Sequence, residues 1–260
     1  MESTYEITAI RKAVKVLKAF ARGGAELSLK QIADLSGLPK STVHRIVQTL
    51  MLDGLVQHNP RSDRFCLTGE LVAIALKGLG RRDMVDAAAP LMRELAEVTG
   101  ETVSLNVAAG LERVCIYRVE GSRPITRTVA LGEQGPLYCG AAGKILLAGL
   151  SDAEVQKVID RGLEPQCKNT ITDPERLWEE VRRIRERGYA TSVEERFANS
   201  ASVGAPVRDC SGQTIAALTV AMPADRFTKE VVEDLIGRVK AQAAAISYRL
   251  GWVPEDENLQ

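Results

Sequence analysis

The sequence has few of the residues that build metal centres and disulfide frameworks. Two histidines and five cysteines occur in 260 residues. Neither His44 nor His58 lies in a metal-binding pattern such as His-Glu-x-x-His. The cysteines are odd in number and widely spaced, which fits neither a disulfide framework nor a paired Cys-x-x-Cys zinc site. We therefore predict reduced thiols, no metal site and no cofactor.

Long apolar runs and an excess of one charge are also missing. No segment approaches the roughly 18 apolar residues of a membrane-spanning helix, and residues 1–6 lack the basic and apolar regions of a secretion signal. We therefore expect a soluble globular protein that stays in the cytoplasm and off the membrane. The formal net charge is zero, yet basic residues outnumber acidic ones over residues 1–70. This local excess suits phosphate contacts, and it equally suits ordinary solvated helix faces.

The first seventy residues predict three short helices. Apolar residues at helical spacing between residues 10 and 21 indicate the first helix, which Gly23-Gly24 ends. Ser28-Leu29-Lys30-Gln31 forms a capping box at the start of the second. Gly37 then suits a left-handed turn, and Pro39 suits the first turn of a third helix.

The third predicted helix has one apolar face and one polar face. Val43, Val47 and Leu50 follow the spacing of an inward face, and hydrogen-bonding side chains follow the same spacing on the opposite side. Hydroxyl groups and the helix N-terminus suit phosphates, whereas Arg45 and Gln48 are long enough to reach base edges in a major groove. The predicted DNA contacts on this helix are Lys40, Ser41, Thr42, His44, Arg45 and Gln48.

A two-stranded hairpin is predicted after the third helix. The runs Leu55–His58 and Arg64–Leu67 flank a turn-forming segment that has Arg61 at its tip. Three helices followed by a hairpin are typical of a winged helix-turn-helix, predicted here over residues 6–68. Arg61 and Arg64 are then expected beside the DNA backbone or in the minor groove.

The sequence changes character near residues 70–85. A helical stretch over residues 69–82 predicts a linker helix between two domains. From Asp83 onwards, helices alternate with β-rich runs such as Thr102–Val107 and Arg113–Val119, which indicates a mixed sheet. The apolar run Ile215–Pro223 predicts a buried core strand. The fold class expected from these patterns is α+β.

Two segments of the chain are similar to those of a known protein family. Ser28–Arg45 looks like the helix-turn-helix of the IclR family of bacterial transcription regulators, and Arg64–Thr68 is similar to the end of that family's wing. The resemblance covers nearly the whole chain. It implies that residues 83–252 form a GAF-like effector-binding domain, that the effector is a small organic or aromatic acid, and that the protein is a homodimer or a tetramer made of two dimers.

Three further segments resemble the family's pocket-lining stretches: residues 135–144, 188–196 and 200–207. Free N–H groups at a helix start in the first segment favour an anionic ligand group. Glu194 or Glu195 would accept a ligand hydroxyl or pair with an arginine, and ordinary solvated or internally paired carboxylates are as good an interpretation. The predicted effector-binding residues are Leu137, Tyr138, Cys139, Gly140, Ala141, Ala142, Glu194, Glu195, Ser200 and Ser202.

Two other functions are open at this point. An enzyme would use Cys139 as a nucleophile or the adjacent Glu194 and Glu195 as acid and base, but no histidine follows His58 to activate a thiol. An architectural DNA-binding protein without a ligand would leave the large second domain unexplained. We therefore predict a DNA-binding transcription regulator, a repressor, whose operator binding responds to a small effector and which has no catalytic residues.

Overall fold

The computed structural model describes residues 7–78 and 82–253. The chain divides between Arg82 and Asp83 into two compact units, each with its own hydrophobic core. Residue 6 of the predicted winged domain and residues 79–81 of the predicted linker lie outside the described residues.

The first unit is a helix-turn-helix with a two-stranded wing, as predicted. Its elements are α1 (Thr8–Gly23), α2 (Leu29–Ser36), α3 (Lys40–Leu52), β1 (Val56–Asn59), β2 (Arg64–Leu67) and α4 (Gly69–Gly78). Val16, Phe20 and Val47 are among the buried residues that join the first three helices. The apolar stripe predicted on α1 is partly wrong: Ile10 is 58% exposed, because α1 packs on α2 and α3 through the side that carries Val16 and Phe20. Val14 is also exposed.

Local chemistry sets the boundaries of α2 and α3. Ser28 caps α2 in a capping box with Gln31. Gly37 has φ +66°, a left-handed conformation that costs glycine little, and its N–H donates to the Ala33 carbonyl at 3.0 Å. Pro39 precedes α3 as its N-cap residue, one position earlier than predicted. The turn is therefore short and fixed.

The predicted linker is only partly covered by one described helix. Helix α4 extends over Gly69–Gly78, and the next helix, α5, extends over Arg82–Thr99. Gly100 follows α5 with φ +69°. In α5, Val98 is 56% exposed, whereas Met92 is fully buried.

The second unit is an α+β domain built on a six-stranded antiparallel sheet. The strand order is β5-β4-β3-β8-β7-β6. Its remaining elements are β3 (Thr102–Ala109), β4 (Glu112–Val119), β5 (Gln134–Pro136), α6 (Gly140–Ala148), α7 (Asp152–Asp160), α8 (Pro174–Arg187), β6 (Ala190–Val193), β7 (Ser200–Arg208), β8 (Thr214–Pro223), a short 3-10 helix (Ala224–Arg226) and α9 (Lys229–Arg249). Helices α5 and α9 share a core with one face of the sheet, and the other face carries α6.

The two-residue period of the strands sorts their side chains between these faces. In β3, Leu105 joins the core under α5 and α9, while Ser104 and Asn106 point to the α6 face. In β8, Leu218 joins the same core and Thr219 points to the α6 face. The strand predicted over Ile215–Pro223 is thus confirmed as buried. Its residues point alternately into the core under α5 and α9 and towards the α6 face of the sheet.

Helix α6 lies very close to the centre of the sheet. A Cβ atom on Gly204 of β7 would stand 2.8 Å from Cγ2 of Thr219 and 3.4 Å from Cβ of Ala141. Only a residue without a side chain fits this position without displacing its neighbours. The first turn of α6 is therefore held directly over the polar residues of the sheet.

Candidate functional site

The polar face of α3 is open to solvent. Thr42 is half-buried, and the other five predicted contacts on this helix are exposed: Lys40, Ser41, His44, Arg45 and Gln48. Val43, Val47 and Leu50 are buried on the opposite side, as the spacing predicts. No side chain in the described part of the chain caps the N-terminus of α3. Its first N–H groups and the positive end of its dipole therefore stay available to an anion such as phosphate.

The wing is tied to the segment before α2 by Glu26. Its carboxylate accepts hydrogen bonds from Nδ2 of Asn59 at 2.8 Å and Oγ of Ser62 at 2.9 Å, and these bonds lower the pKa of Glu26. Arg64 donates to the Glu26 carbonyl at 3.4 Å. Arg61 lies exposed in the turn between β1 and β2. The predicted tip arginine is therefore presented on an ordered loop.

In the second unit, a small cavity lies between the sheet and the first turn of α6. We call it the α6 cavity, and its volume is about 60 Å³. It is lined by Ser104, Asn106, Arg113, Arg127, Val129, Glu133, Gly140, Ala141, Ala142, Ser192, Arg196, Phe197, Ser200, Ser202, Thr219 and Ala221. Five predicted effector-binding residues are among them: Gly140, Ala141, Ala142, Ser200 and Ser202.

One wall of the α6 cavity is a network of charged side chains around Glu133. Oε1 of Glu133 accepts hydrogen bonds from Arg113 Nη2 at 3.0 Å and Arg196 Nη1 at 2.6 Å. Arg113 is 7% exposed and its Nη1 also donates to Oδ1 of Asn106 at 2.7 Å. Burial lowers the pKa of Arg113, and Glu133 opposes that shift. The carboxylate thus stabilises two guanidinium groups that would otherwise repel each other.

A third arginine stands at the same wall. The guanidinium carbon of Arg127 lies 4.2 Å from the ring centroid of Phe197, and that of Arg196 lies 4.7 Å from it. The charged residues that line the cavity are three arginines and one glutamate, so their formal net charge is +2: Arg113, Arg127, Arg196 and Glu133. The electrostatic potential in the cavity therefore favours an anion.

The floor of the α6 cavity is polar. Ser104 and Thr219 share a hydrogen bond of 2.8 Å between their hydroxyl oxygens, and Nδ2 of Asn106 donates to Ser104 at 3.0 Å. Ser192 and Ser202 are cross-strand partners on β6 and β7. The hydroxyls of Ser192, Ser200 and Ser202 have no hydrogen-bond partner among the described residues.

Three predicted effector-binding residues do not line the α6 cavity. Leu137 and Cys139 are fully buried in the core between α6, α7 and α8, and Tyr138 belongs to the same cluster. Tyr138 donates to the Glu164 carbonyl at 2.9 Å, on the outer side of α6. Tyr138 and Cys139, which are predicted effector-binding residues, therefore lie outside the lining of the α6 cavity, because the chain turns into α6 just after them and the lining includes only residues of the first turn of that helix.

The two predicted glutamates also lie outside the lining of the cavity. Glu194 follows the end of β6 with φ +50°, pairs with Lys168 and accepts a hydrogen bond from the Asn199 N–H at 2.8 Å. Glu195 is buried, and its Oε1 accepts from Nζ of Lys144 at 2.6 Å. Both are internally paired carboxylates, as the alternative interpretation had them.

Glu195 also corrects the expectation of a fully free helix start. Its Oε2 accepts the Gly140 N–H at 2.9 Å, so that donor is already used. Lys144 balances the charge of Glu195 and also donates to Glu180 at 3.2 Å and to the Thr191 carbonyl at 2.7 Å. The N–H groups of Ala141 and Ala142 donate to no acceptor among the described residues.

Sequence reasoning missed most of the charged and floor residues of the cavity. The residues not named among the predicted effector-binding residues are Ser104, Asn106, Arg113, Arg127, Glu133, Ser192, Arg196, Phe197 and Thr219. Of these, only Ser192 and Arg196 lie in a segment, residues 188–196, that resembles a pocket-lining stretch. The signal was present in part, because Ser104, Asn106 and Thr219 interrupt otherwise apolar strands at alternate positions. Polar residues at such positions point to one shared surface once the strands are known to be neighbours.

Comparison with known proteins decides the family. The IclR helix-turn-helix domain model matches residues 9–60, and the model of the C-terminal domain of bacterial transcriptional regulator IclR matches residues 76–248. The chain belongs to the IclR family. It is therefore a bacterial transcriptional regulator with a DNA-binding helix-turn-helix and a C-terminal effector-binding domain.

Individual relatives match this IclR-family chain over most of its length. The DNA-binding transcriptional repressor YiaJ of Escherichia coli K12 is 30% identical over 248 residues, which are 94% of this chain and 87% of the relative. The crystal structure of Thermotoga maritima IclR is 30% identical with a TM-score of 0.75, over 95% of this chain and all of that one.

A third match, at 23% identity, supports the fold alone. The IclR homologue of Microbacterium hydrocarbonoxydans, crystallised with 4-hydroxybenzoate, has a TM-score of 0.82 over 93% of this chain and 98% of its own.

Two other classes of site were predicted to be absent from the sequence. No described helix of the IclR-family chain has the length and apolarity to cross a membrane. The described residues also contain no group of three His, Cys, Asp or Glu side chains placed to hold a metal ion.

Proposed function

We propose that this regulator is a repressor that binds operator DNA with α3 in the major groove and Arg61 beside the backbone. The observation that carries this proposal is the exposed polar face of α3, which has Arg45 and Gln48 outside and a buried apolar face behind. Such a helix presents base-reading and phosphate-binding groups together. YiaJ, itself a DNA-binding transcriptional repressor, supports the same direction of control.

The effector in this proposal is a small organic acid held in the α6 cavity. The charge of +2 on its lining and the unpartnered N–H groups of Ala141 and Ala142 support an anionic ligand. The Microbacterium homologue was crystallised with an organic acid, 4-hydroxybenzoate. Because coupling between two sites is reciprocal, an effector that weakens operator binding must itself bind less well to the DNA complex.

The wider organisation follows from the demands of DNA reading. One winged helix reads few base pairs, so we assign a homodimer, or a tetramer of two dimers, to a pseudo-palindromic operator in the cytoplasm. The domain limits in this proposal are residues 6–68 for the winged helix-turn-helix, 69–82 for the linker and 83–252 for the effector domain.

Catalysis has no part in the proposal. Burial raises the pKa of Cys139 to about 12, so its thiol is protonated at neutral pH and is a poor nucleophile. Glu194 and Glu195 are engaged by Lys168 and Lys144 respectively. Neither pair leaves a carboxylate free for acid–base work on a substrate.

The test is selection of binding sequences from a random duplex pool, followed by fluorescence anisotropy on the recovered site and on scrambled DNA across a salt series. A shared palindrome and a specificity ratio of roughly a thousand or more are expected for a sequence-specific regulator. Binding without sequence preference would support an architectural protein instead. Organic acids added to the complex should then lower the anisotropy if the α6 cavity controls the operator.

A further inference from the structure

The second unit has a groove between the end of α5 and the start of α9. We call it the α5–α9 groove; its volume is about 460 Å³, and its described lining shares no residue with that of the α6 cavity. Met222 and Leu235 form a buried floor, and Val98 and Val231 stand on the rim, 56% and 41% exposed. Because apolar surface gains free energy when it leaves water, a groove that gathers such side chains is a candidate interface.

An exposed isoleucine lies beside this groove on a loop that is held in place. Ile125 is 70% exposed, lies between β4 and β5, and accepts a hydrogen bond at its carbonyl from Nη2 of Arg226 at 2.7 Å. Arg226 itself lines the groove. A Cβ atom on Gly121 would clash with the backbone oxygen of Gly100, so the loop lies as close to the end of α5 as a glycine permits. The isoleucine therefore has a fixed position before any partner binds, which lowers the entropy cost of binding.

The arginines of the groove are already engaged within the chain. The carboxylate of Glu101 accepts hydrogen bonds from Nε and Nη2 of Arg226, both at 2.9 Å, and Nε of Arg123 lies 3.3 Å from its Oε1. Arg238 pairs with Asp234 at 2.7 Å on α9. Small-molecule sites need free polar groups to orient the ligand, and DNA sites need cations that are free to bind phosphates. An organic anion and DNA are therefore poor occupants of this groove.

The charges of the groove divide it into two halves of opposite sign. The half near the β4–β5 loop has two arginines and one glutamate, a formal charge of +1, and the half on α9 and the 3-10 helix before it has two aspartates and one arginine, a charge of −1. These residues are Arg123, Arg226 and Glu101 in the first half, and Asp225, Asp234 and Arg238 in the second. In a two-fold symmetric interface each half of a patch faces the other half on the second copy. A second copy of the chain is therefore electrostatically complementary to this surface.

We infer that the α5–α9 groove is an interface between the effector domains of two copies of this chain, in which Ile125 of each copy inserts into the groove of the other. Because the isoleucine and the groove lie side by side on one copy, a single two-fold rotation forms both contacts at once. This inference rests on the proposed homodimer or tetramer and deepens it, because it assigns the surface through which effector domains associate.

The molar mass of the full-length protein, measured by analytical ultracentrifugation and light scattering, tests the inference. Ile125→Asp places a charge in an apolar contact and should halve the oligomer, so that a tetramer becomes a dimer or a dimer becomes a monomer. Leu131→Asp is the matched control, because Leu131 is 62% exposed in the same loop and does not line the groove. It should leave the mass unchanged. An unchanged mass for Ile125→Asp, or an equal loss for Leu131→Asp, would overturn the inference.

A second variant keeps the test decisive if Ile125→Asp fails to fold, which circular dichroism would show. Val231→Asp changes the opposite side of the groove and should halve the mass in the same way. A groove that binds an apolar small molecule or a different protein would leave the mass of both variants equal to that of wild type. That result would exclude a second copy as the occupant.

Cross-linking shows the contact between copies directly. Ile125→Cys protein is mixed with Val98→Cys protein, both with the Cys210→Ser change because Cys210 is exposed. A short bismaleimide should link position 125 of one chain to position 98 of the other, as peptide mass spectrometry would show. A mixture without this link would contradict the insertion of Ile125 into the groove of the second copy.

The DNA experiment separates this inference from the proposed function. If the wild-type chain is an oligomer that reads a palindrome and Ile125→Asp leaves its mass unchanged, the regulator stands and the assigned interface fails. If Ile125→Asp halves the mass but the protein shows no sequence-specific DNA binding, the interface stands and the proposed function fails. A wild-type chain that stays monomeric overturns the interface and the proposed oligomer, and leaves DNA recognition to be judged by the selection.

Discussion

The two units of this regulator use polar side chains in opposite ways. The first unit turns them outward, so that Arg45 and Gln48 stand on the solvent face of α3 while the apolar face is buried. The second unit turns them inward, so that Arg113, Asn106 and Thr219 are buried in an α+β domain. An outward face needs only one amphipathic helix. An inward site needs every buried polar group to find a partner, which takes several strands and loops at once.

The strongest way to break this comparison is to remove a buried charge from the second unit. Lys144 is 3% exposed, and Lys144→Ala would leave Glu195 buried without its counter-ion. We expect a loss of about 3–5 kcal/mol in the free energy of unfolding, measured by urea denaturation. Lys157→Ala, on the exposed side of α7, should stay within about 0.5 kcal/mol of wild type. Equal effects for the two variants would show that the buried network contributes no special stability.

Outward residues should affect binding rather than stability. Arg45→Ala should cost about 1–3 kcal/mol on the selected operator and little on scrambled DNA, because this side chain is placed to read bases. Arg61→Ala should weaken binding to both sequences alike and reduce the slope of log affinity against log salt by about one. Fluorescence anisotropy across a salt series measures both. Identical losses on both DNAs for both variants would contradict the division of roles.

The smallest effect is expected at the buried thiols. Burial raises the pKa of Cys115 to about 11 and that of Cys139 to about 12, so neither should react with a thiol reagent at pH 8. Exposed Cys210 should react readily, and all five cysteines should react in urea, as peptide mass spectrometry would show. Because the folded chain holds these protons to higher pH than the unfolded chain, stability should fall as pH rises past about 8.5. Rapid native labelling of Cys139 would reopen the enzyme interpretation.

How far sequence reasoning reached differs between the units for a physical reason. The spacing of Val43, Val47 and Leu50 fixes the outward face of α3, since a helix sets its faces from local sequence alone. The cavity floor pairs Ser104 with Thr219, which are 115 positions apart, and depends on strand order and register. Family resemblance supplied Gly140–Ala142, Ser200 and Ser202 and covered Arg196 within the segment 188–196, but it gave no sign of Arg113 or Arg127, which come from a strand and a loop.

The same distinction explains why some predicted residues lie outside the α6 cavity. Tyr138 and Cys139 directly precede Gly140, the first residue of α6. Nothing in the sequence indicated that these two side chains pack into the core while the residues that follow them line the cavity. For Glu195 the sequence left a ligand contact and internal pairing equally open, and the structure shows the pairing, in which Glu195 links α6 to α8 through Lys144 and Glu180. The sequence alone cannot distinguish a carboxylate that lines a cavity from one that is paired beside it.

Glu26 gives the wing a property that matters before any DNA contact. Because its carboxylate holds Asn59 and Ser62, the loop that carries Arg61 is already ordered in the free protein. Fixing the backbone of a flexible residue costs about 1–2 kcal/mol, and here that cost falls on folding and not on complex formation. The wing loop therefore has its binding conformation before it contacts DNA. A productive encounter then depends on the orientation of the protein and not on a search through loop conformations.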